Sequence, residues 1–427
     1  MKAIVKTVKG TREFYPEEMA VRNWLYEQLQ AVSNSFGYQE YDGPFLEKID
    51  LYAAKSGEEL VKKQSFVFED RGGEEVTLRP ELTPSLARMV AQKQRGLTYP
   101  LRWWSFGPFW RYERPQKGRT REFFQWNADL IGADSPEADA ELVAICVNFF
   151  RRVGLTTEQV ELVVNDRQLV DSELDKIGID QDLKPVIIRL VDRRDKMAAD
   201  AWDRFALESG LNQAQLDGLK AILANAELWK NSENLSRFFA ALKWMGVESY
   251  VHFNPQIIRG LDYYTGIVFE ARDRDKEGRA ILGGGHYGNL VGAVGGDPLP
   301  GVGFAMGDVM VSLVLQKYGC IPPLAKSPLQ VLTTVFDAES VDKSFALAQE
   351  LRDGGIRAVS YLEFAKLPKQ LKYADRIGAR FATIIGPDEA AQGLVTIKDL
   401  QARSQETVPQ AKLISQLSKM LAEQPPV

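Results

Sequence analysis

The chain has 427 residues and a formal net charge of −5 at pH 7; 45% of its residues are hydrophobic and 26% are charged. These values are typical of a globular protein with a large core and about two to three domains, and they argue against indiscriminate binding of nucleic acid. No apolar run approaches the ~18 residues of a membrane span, and the N-terminus lacks the apolar region of a secretory signal. We therefore predict a cytoplasmic protein with no membrane partner.

Cysteine and histidine are scarce in this chain. The chain has two cysteines, Cys146 and Cys320, and two histidines, His252 and His286. They are too few for a disulfide framework or a structural zinc site, and they leave little room for a histidine-based triad. The sequence therefore predicts no metal site and a chemistry that rests on Arg, Glu, Asp, Gln and Tyr.

The first three quarters of the chain alternate helical and strand patterns. Pro16 and Gly37 mark the start and end of an apolar helical pattern, and Pro44 fits a strand end. The remaining elements are predicted from periodicity: a strand leading into a helix with Thr83 as N-cap and Pro84 in its first turn, a helix over 137–152, a helical insertion over about 166–247, strands within 250–273, a glycine-rich piece at 281–290, and a loop from Gly301 entering an apolar helix.

After a linker around residues 316–327, the pattern of predicted strands and helices changes. Strand and helix patterns alternate from there to the end, which predicts a small, mostly parallel α/β domain of about a hundred residues. We predict domains at 1–325 and 326–427. Four basic residues recur at helical spacing and could face phosphates or simply solvent: Lys366, Lys369, Lys372 and Arg376.

The most informative segment runs from residue 109 to residue 132 and is predicted as a β-hairpin with a basic loop at 114–120. Side chains alternate between faces along a strand. One face is mostly apolar, and the other carries Arg111 and Glu113 on the first arm and Arg121, Phe123, Gln125, Asn127 and Asp129 on the second. Such a face suits a ligand with a phosphate, an aromatic ring and an amine. A solvated polar face is the alternative, because antiparallel sheets often expose one side to water.

This hairpin, the run IRGLDYYTGIVFE at 258–270 and the run TLRPELTP at 77–84 together resemble the histidyl-tRNA synthetase family of class II aminoacyl-tRNA synthetases. The likeness covers nearly the whole chain. It implies an α+β catalytic core with an antiparallel sheet of about six or seven strands flanked by helices, a helical insertion and a C-terminal α/β anticodon-binding domain. It also implies a homodimer, with Pro44 at the proline of the dimer motif.

The resemblance implies a reaction in two steps. Histidine and ATP give histidyl-adenylate and pyrophosphate, and the histidyl group then passes to the 3′ end of its tRNA. The attacking carboxylate needs no protein base, so positioning and charge stabilisation supply the catalysis. Mg²⁺ is expected from the ATP chemistry and not from any ligand cluster in the sequence.

The resemblance also assigns residues. Arg111 and Arg259 would act on the α-phosphate as the catalytic groups. Asp129 and Tyr264 would hold the imidazole, and a buried carboxylate facing an N–H can reject substrates without that donor by ~10⁴-fold. The full histidine set is Glu81, Thr83, Arg111, Gln125, Asp129, Arg259, Tyr263 and Tyr264, and the ATP set is Arg111, Glu113 for the adenine amine, Phe123 under adenine, and Arg119 and Arg121 for the distal phosphates. Plain alternatives are strand packing for the two tyrosines and a solvated basic turn for Arg119 and Arg121.

The chain departs from the common family pattern at three places. Asp129 stands where Glu is usual, and the glycine-rich piece reads GGHYG at 284–288 where GGRYD is usual. Motif 3 usually ends with Gly-Leu-Glu-Arg, whereas Asp308, Val309 and Met310 follow Gly307 here. The chain resembles a branch of bacterial and plant-organelle members with Gly-Asp at this point. The cation for the distal phosphates is then unassigned, with Arg119 and Arg121 as the candidates.

Two other functions remain open from the sequence. The regulatory subunit of ATP phosphoribosyltransferase shares the synthetase core but not tRNA charging. Those chains typically lack the anticodon-binding domain and have a degraded motif 2, and this chain keeps both. A class II synthetase for another amino acid is the second alternative, and the RGLDYY run speaks against it.

Overall fold

The computed structural model describes residues 4–53, 64–194, 197–257, 264–275, 280–324 and 327–423. The chain divides into two compact units, Met1–Glu13 with Leu25–Ile321 and Phe14–Trp24 with Pro322–Val427. The domain boundary drawn from the sequence at residues 325 and 326 stays a prediction. Within the described ranges, no helix combines the length and the apolar character that crossing a bilayer requires.

Helices and strands alternate along the first 321 residues. They are α1 (Pro16–Ser35), β1 (Gln39–Glu40), β2 (Leu46–Lys48), α2 (Asp50–Ala53), β3 (Phe66–Glu69), β4 (Glu75–Leu78), α3 (Thr83–Lys93), β5 (Leu101–Trp110), β6 (Glu122–Ile131), α4 (Pro136–Arg152), β7 (Val160–Asp166), α5 (Arg167–Lys176), α6 (Lys184–Asp192), α7 (Ala199–Glu208), α8 (Gln213–Ala224), α9 (Glu233–Trp244), β8 (Val251–Phe253), β9 (Ile267–Asp273), β10 (Leu282–Tyr287), β11 (Gly301–Gly307) and α10 (Asp308–Lys317). The predicted first helix, the helix before Gly154 and the helices of 166–247 are confirmed. Helix α3 begins at Thr83, and its N-cap is Leu82 and not Thr83.

The central sheet has eight strands in the order β1-β5-β6-β11-β10-β9-β7-β8. The six inner strands are antiparallel, as the class II resemblance implies. The two short strands at the edges, β1 and β8, pair in parallel with their neighbours. A separate three-stranded antiparallel sheet has the order β2-β4-β3.

Strands β5 and β6 form the predicted hairpin, with Phe109 opposite Phe123. Its apolar face is buried as expected, and Trp126 packs against Phe149 of α4 with 5.6 Å between ring centroids. The polar face is buried too, since Asn127 is 4% exposed and Asp129 is 5% exposed. The alternative of a solvated polar face is therefore wrong for this end of the hairpin.

Strand β11 corrects the prediction of a loop after Gly301. Its glycines suggested a loop because glycine is rare in strand interiors. In the structure, β11 pairs with β6 on one side and with β10 on the other. A side chain at Gly301 would lie 2.7 Å from the ring of Tyr287, so glycine is needed for close packing and not for a turn.

The C-terminal unit contains a five-stranded sheet in the order β13-β12-β14-β15-β16. Its elements are β12 (Val331–Thr333), α11 (Val341–Asp353), β13 (Ala358–Ser360), α12 (Leu367–Arg376), β14 (Phe381–Ile384), α13 (Pro387–Gln392), β15 (Leu394–Asp399), β16 (Ser404–Pro409) and α14 (Leu413–Ala422). Strands β13, β12 and β14 are parallel, whereas β15 and β16 are antiparallel. The expectation of a mostly parallel sheet is confirmed for the two pairings among β13, β12 and β14 and is wrong for the two pairings of β15, which are antiparallel.

Candidate active site

A cavity of about 220 Å³, here called the inner pocket, lies on the polar face of the central sheet. Side chains from the β4–α3 connection, the hairpin and the inner strands line it. Six residues that the resemblance assigned to histidine are brought together there: Glu81, Thr83, Arg111, Gln125, Asp129 and Tyr264. The two that are farthest apart in the sequence, Glu81 and Tyr264, are separated by 183 positions.

Glycines leave room for the polar side chains of the inner pocket. Gly303 of β11 pairs with Asp129 of β6, and a Cβ atom at Gly303 would overlap the carboxylate of Asp129. A Cβ atom at Gly284, on the next strand, would lie 2.5 Å from the carbonyl oxygen of Gly303 and 2.5 Å from the ring of Phe269. Because these positions carry no side chain, the sheet itself is the floor of the pocket.

Asp129 is the buried acid of the inner pocket. The hydroxyl group of Tyr287 donates a hydrogen bond to its Oδ1 atom over 3.0 Å. Burial raises the pKa of Asp129 to about 7, and the hydrogen bond from Tyr287 opposes part of that rise. A partner that donates a hydrogen bond or carries positive charge would stabilise the carboxylate form.

Arg111 lies where the inner pocket meets a second cavity. Its Nε atom donates to the carbonyl oxygen of Pro80 over 2.9 Å, which fixes the guanidinium group. The guanidinium carbon lies 5.3 Å from the centre of the Phe123 ring. Five residues line both cavities: Arg111, Gln125, Glu270, Gly283 and Ala305. The two cavities therefore form one continuous site.

The second cavity, here called the outer cavity, has a volume of about 1210 Å³. Of the residues assigned to ATP, Arg111, Glu113, Arg119 and Phe123 line it. Glu113 and Arg119 form an ion pair with 2.6 Å between Oε2 and Nη1. The aromatic ring, the cations and the volume of this cavity suit a nucleoside triphosphate.

Comparisons with known proteins give a consistent result. A family model described as "Histidyl-tRNA synthetase" matches residues 10–309, and one described as "Anticodon binding domain" matches residues 321–420. The chain belongs to the histidyl-tRNA synthetase family. This is a family of aminoacyl-tRNA synthetases, which are enzymes.

Individual relatives match over most of their length. A "Histidine--tRNA ligase" of Leptospira biflexa is 35% identical over 99% of both chains. A "Histidine--tRNA ligase, chloroplastic/mitochondrial" of Arabidopsis thaliana is 36% identical over 94% of this chain and 84% of the relative. The crystal structure of histidyl-tRNA synthetase from Nostoc sp. PCC 7120 superposes with a TM-score of 0.83 at 25% identity, covering 98% of this chain and all of the other.

Among the described residues that the resemblance assigns to histidine or ATP, one does not line either cavity. Arg121 lines neither one; its guanidinium carbon lies 4.2 Å from the centre of the Tyr112 ring, and its Nε atom donates to the carbonyl oxygen of Glu113 over 3.2 Å. Arg259 and Tyr263 lie outside the described residues, so their roles stay predictions.

The structure describes the segment that the resemblance places at motif 3. Asp308 is buried; its Oδ2 atom pairs with Arg12 over 2.8 Å, and its Oδ1 atom accepts the amide of Phe124 over 2.8 Å. Met310, at the place where the resemblance leads us to expect arginine, lines the outer cavity and lies against Gly118 of the hairpin loop. The side chain at this place is therefore inside the cavity but carries no charge.

Some lining residues were missed as ligands by the sequence analysis. Asn127 was placed on the right face of the hairpin but given no role. Tyr287 belongs to the glycine-rich piece, where only the departures from the family pattern were considered. Glu270 and Arg272 stand two apart on β9 and form an ion pair of 2.6 Å that lines the outer cavity. Strand alternation after residue 267 could have placed this pair on one face.

Proposed function

We propose that this chain is a histidine–tRNA ligase that activates histidine with ATP and then transfers it to tRNA. The observation that carries the proposal is the buried Asp129 in a small pocket that opens, past Arg111, into a cavity large enough for ATP. An amino acid held at Asp129 would extend its carboxylate towards Arg111. The membership of the family supports the same reaction.

Histidine selection rests on the inner pocket. The Asp129 carboxylate would accept a hydrogen bond from an imidazole N–H, and Tyr287 holds the carboxylate in place. Glu81 and Thr83 would bind the α-amine, with Gln125 beside them and Tyr264 along the imidazole. Amino acids without a ring N–H would leave the buried Asp129 carboxylate without a hydrogen bond from the ligand. Their binding free energy would therefore be less favourable than that of histidine.

The first step needs positioning more than proton transfer. One carboxylate oxygen of histidine attacks the α-phosphorus of ATP, the bond to the bridging oxygen breaks, and pyrophosphate leaves with the electron pair. Arg111 would bind the histidine carboxylate and the α-phosphate and neutralise the charge that develops there. Arg259 is proposed to share this task.

The outer cavity would hold the rest of ATP. Phe123 would stack under adenine, Glu113 would accept its amine, and Arg119 would bind the distal phosphates. No group of three or more His, Cys, Asp and Glu side chains arranged to hold a metal ion occurs in the described part of the chain. Glu161 and Glu270 are among the carboxylates that line the cavity, and carboxylates fit Mg²⁺ that arrives with the phosphates. When bound, Mg²⁺ would neutralise phosphate charge.

We also propose that two chains associate. Four large apolar side chains on or beside the three-stranded sheet are between 40% and 47% exposed: Phe45, Leu46, Val67 and Phe68. Pro44 precedes the first of them. Large apolar side chains that are exposed in this way often mark protein interfaces. Light scattering of the purified protein should give twice the mass of one chain, and a monomer at micromolar concentration would contradict the proposal. The cytoplasmic location stays a prediction.

The C-terminal unit is proposed to bind the anticodon end of the tRNA, in agreement with the domain model that it matches. The four basic residues Lys366, Lys369, Lys372 and Arg376 are all exposed on or next to α12. Lysines at such spacing can neutralise phosphates along one strand.

Two assays test the function. Histidine-dependent exchange of pyrophosphate into ATP measures activation, and attachment of labelled histidine to tRNA measures transfer. We expect both. Exchange with another amino acid would support a different class II synthetase. Exchange without charging would support a paralogue limited to adenylate chemistry. Absence of both activities would support a regulatory subunit.

A further inference from the structure

His286 is the residue that stands in the glycine-rich piece where the family usually has arginine. It lies on β10, next to Tyr287 of the inner pocket, and is 7% exposed. A buried histidine needs partners for its ring nitrogens. Its side chain is not among those that line the inner pocket or the outer cavity, so the proposed reaction does not use it directly.

Both ring nitrogens of His286 face carboxylates. The Nδ1 atom lies 2.9 Å from Oδ1 of Asp139, and the Nε2 atom lies 3.3 Å from Oδ1 of Asp134. A neutral imidazole carries a single N–H, so it would turn a lone pair towards one of these carboxylates. Only the imidazolium form donates to both. The geometry therefore fits a charged ring.

Three carboxylates lie close to His286 and act on its charge. Asp134 precedes α4 and is 77% exposed, whereas Asp139 in the first turn of α4 is 4% exposed. Asp166 ends β7 and is also buried; it accepts the amide of Gln168 over 2.9 Å. Burial lowers the pKa of His286, but the hydrogen bond and charge of Asp139, together with the charges of Asp134 and Asp166, raise it above its ordinary value of 6.5.

The backbone around His286 carries residues of the inner pocket. Its carbonyl oxygen accepts the amide of Thr265 over 2.8 Å, directly after Tyr264. Gly266 lies against the imidazole, since a Cβ there would be 3.4 Å from its Cγ atom. Tyr287 follows in sequence and donates to Asp129. Fixing the His286 side chain thus fixes two walls of the pocket.

We infer that His286, held as an imidazolium between Asp139 and Asp134, is a positioning residue that keeps Tyr287 and the segment Tyr264–Gly266 in place for histidine binding. This inference rests on the proposed function. Loss of the charge leaves Asp139 buried without its cation, and the neutral ring can donate to only one of the two carboxylates, which weakens the link between α4 and the strand that carries Tyr287. Affinity for histidine then falls, while the ATP site is unaffected.

The inference predicts a specific pH dependence. The charge is present below the pKa of His286 and is lost as the pH rises through it, so the KM for histidine should increase on the alkaline side. H286R keeps a permanent charge and should remove this increase. H286N should show at pH 7 a KM for histidine about tenfold above that of the unaltered enzyme, with the KM for ATP changed less than about twofold.

Substitution at the exposed Asp134 gives a variant that does not threaten folding. D134N removes one of the carboxylates that favour the charged ring, so the alkaline increase should begin at a lower pH. H252N is the matched control, because His252 is exposed and is not among the residues that line either cavity. Its pH profile should equal that of the unaltered enzyme.

Nuclear magnetic resonance spectroscopy of the full chain, with isotope labels in its histidine residues, measures the charge of the His286 side chain directly. The chain has two histidines, so H252N assigns both signals. We expect His286 to be more than half protonated at pH 6.5 and its titration to follow the KM for histidine. A His286 that is mostly neutral at that pH, or an H286R enzyme with an unchanged alkaline increase, would overturn the inference. Absence of histidine-dependent exchange in the unaltered enzyme would instead overturn the proposed function.

Discussion

The hydroxyl group of Tyr287 donates to the carboxylate of Asp129 over 3.0 Å, and this contact joins two segments that are 158 residues apart in the chain. It gives the inner pocket a buried acid with one oriented lone pair already occupied. Within the described part of the chain, Tyr287 is the residue that donates to this carboxylate, so we expect its other acceptor positions to receive an N–H of the ligand. We therefore expect the negative charge of Asp129 to lower the stability of the protein without ligand and to be required for histidine binding.

Asp129→Asn should stabilise the protein without ligand. The pKa of Asp129 rises from an ordinary 3.8 to about 7 on folding, so the folded state holds the proton more tightly than the unfolded state. Stability then falls as the pH increases from about 4 to 7, by up to about 4 kcal/mol in total. Asn carries no charge and should remove this decrease. Chemical denaturation at pH 4 and pH 8 measures the difference between the two proteins.

The same variant should lose histidine activation. The amide of Asn supplies no negative charge for the imidazole N–H, so kcat/KM for histidine should fall by about 100-fold or more. Pyrophosphate exchange at varied histidine concentration measures this. An Asp129→Asn enzyme that is both normal in exchange and unchanged in stability would contradict the role given to this acid.

Gly303→Ala should block the inner pocket. A methyl group there would overlap the Asp129 carboxylate and lie 3.2 Å from the carbonyl oxygen of Ala128. We expect a loss of about 1–3 kcal/mol in stability and a large rise in the KM for histidine. Gly307→Ala on the same strand is the control, because nothing lies within 4 Å of its Cβ position. Equal effects of the two substitutions on the KM for histidine would refute this account.

Arg119→Ala and Arg121→Ala separate the two candidate phosphate cations. Arg119 lines the outer cavity, whereas Arg121 lies against Tyr112. A charge-assisted hydrogen bond contributes about 1.5–3 kcal/mol, so Arg119→Ala should raise the KM for ATP by about 10- to 100-fold. Arg121→Ala should change it less than about threefold. Two near-normal enzymes would show that neither residue replaces the motif 3 arginine.

Charge reversal on α12 should affect tRNA and not activation. Lys369→Glu combined with Lys372→Glu should lower kcat/KM for tRNA charging by about tenfold or more at low salt, and the effect should shrink as salt is added. Histidine-dependent exchange without tRNA should be unchanged. Lys419→Glu on α14 is an exposed control. Loss of charging in the control to the same degree would point to net charge and not to a specific surface.

Periodicity predicted the local structure where packing agrees with it. The hairpin was predicted because Trp126, Ala128 and Leu130 alternate with polar residues, and a pleated strand puts alternate side chains on opposite faces. Period alone could not tell whether the polar face meets water or ligand. That depended on strands β9, β10 and β11, which complete the sheet beside the hairpin and line the inner pocket with it.

Glycine-rich segments show where sequence reasoning fails. Gly301 and Gly303 suggested a loop, yet both belong to a strand in the middle of the sheet. The reason for glycine is a neighbour from a distant segment, the ring of Tyr287 in one case and the carboxylate of Asp129 in the other. No local pattern contains that information.

The sequence by itself determined the family, the hairpin and most of the polar side chains of the inner pocket, because each of these depends on residue type at short spacing. Only the tertiary structure decided which charges meet. It placed Arg121 against Tyr112 and Arg119 in the cavity, and it surrounded His286 with carboxylates from α4 and β7. Burial and electrostatic pairing depend on distances in space, and those distances are set by sheet order and not by position along the chain.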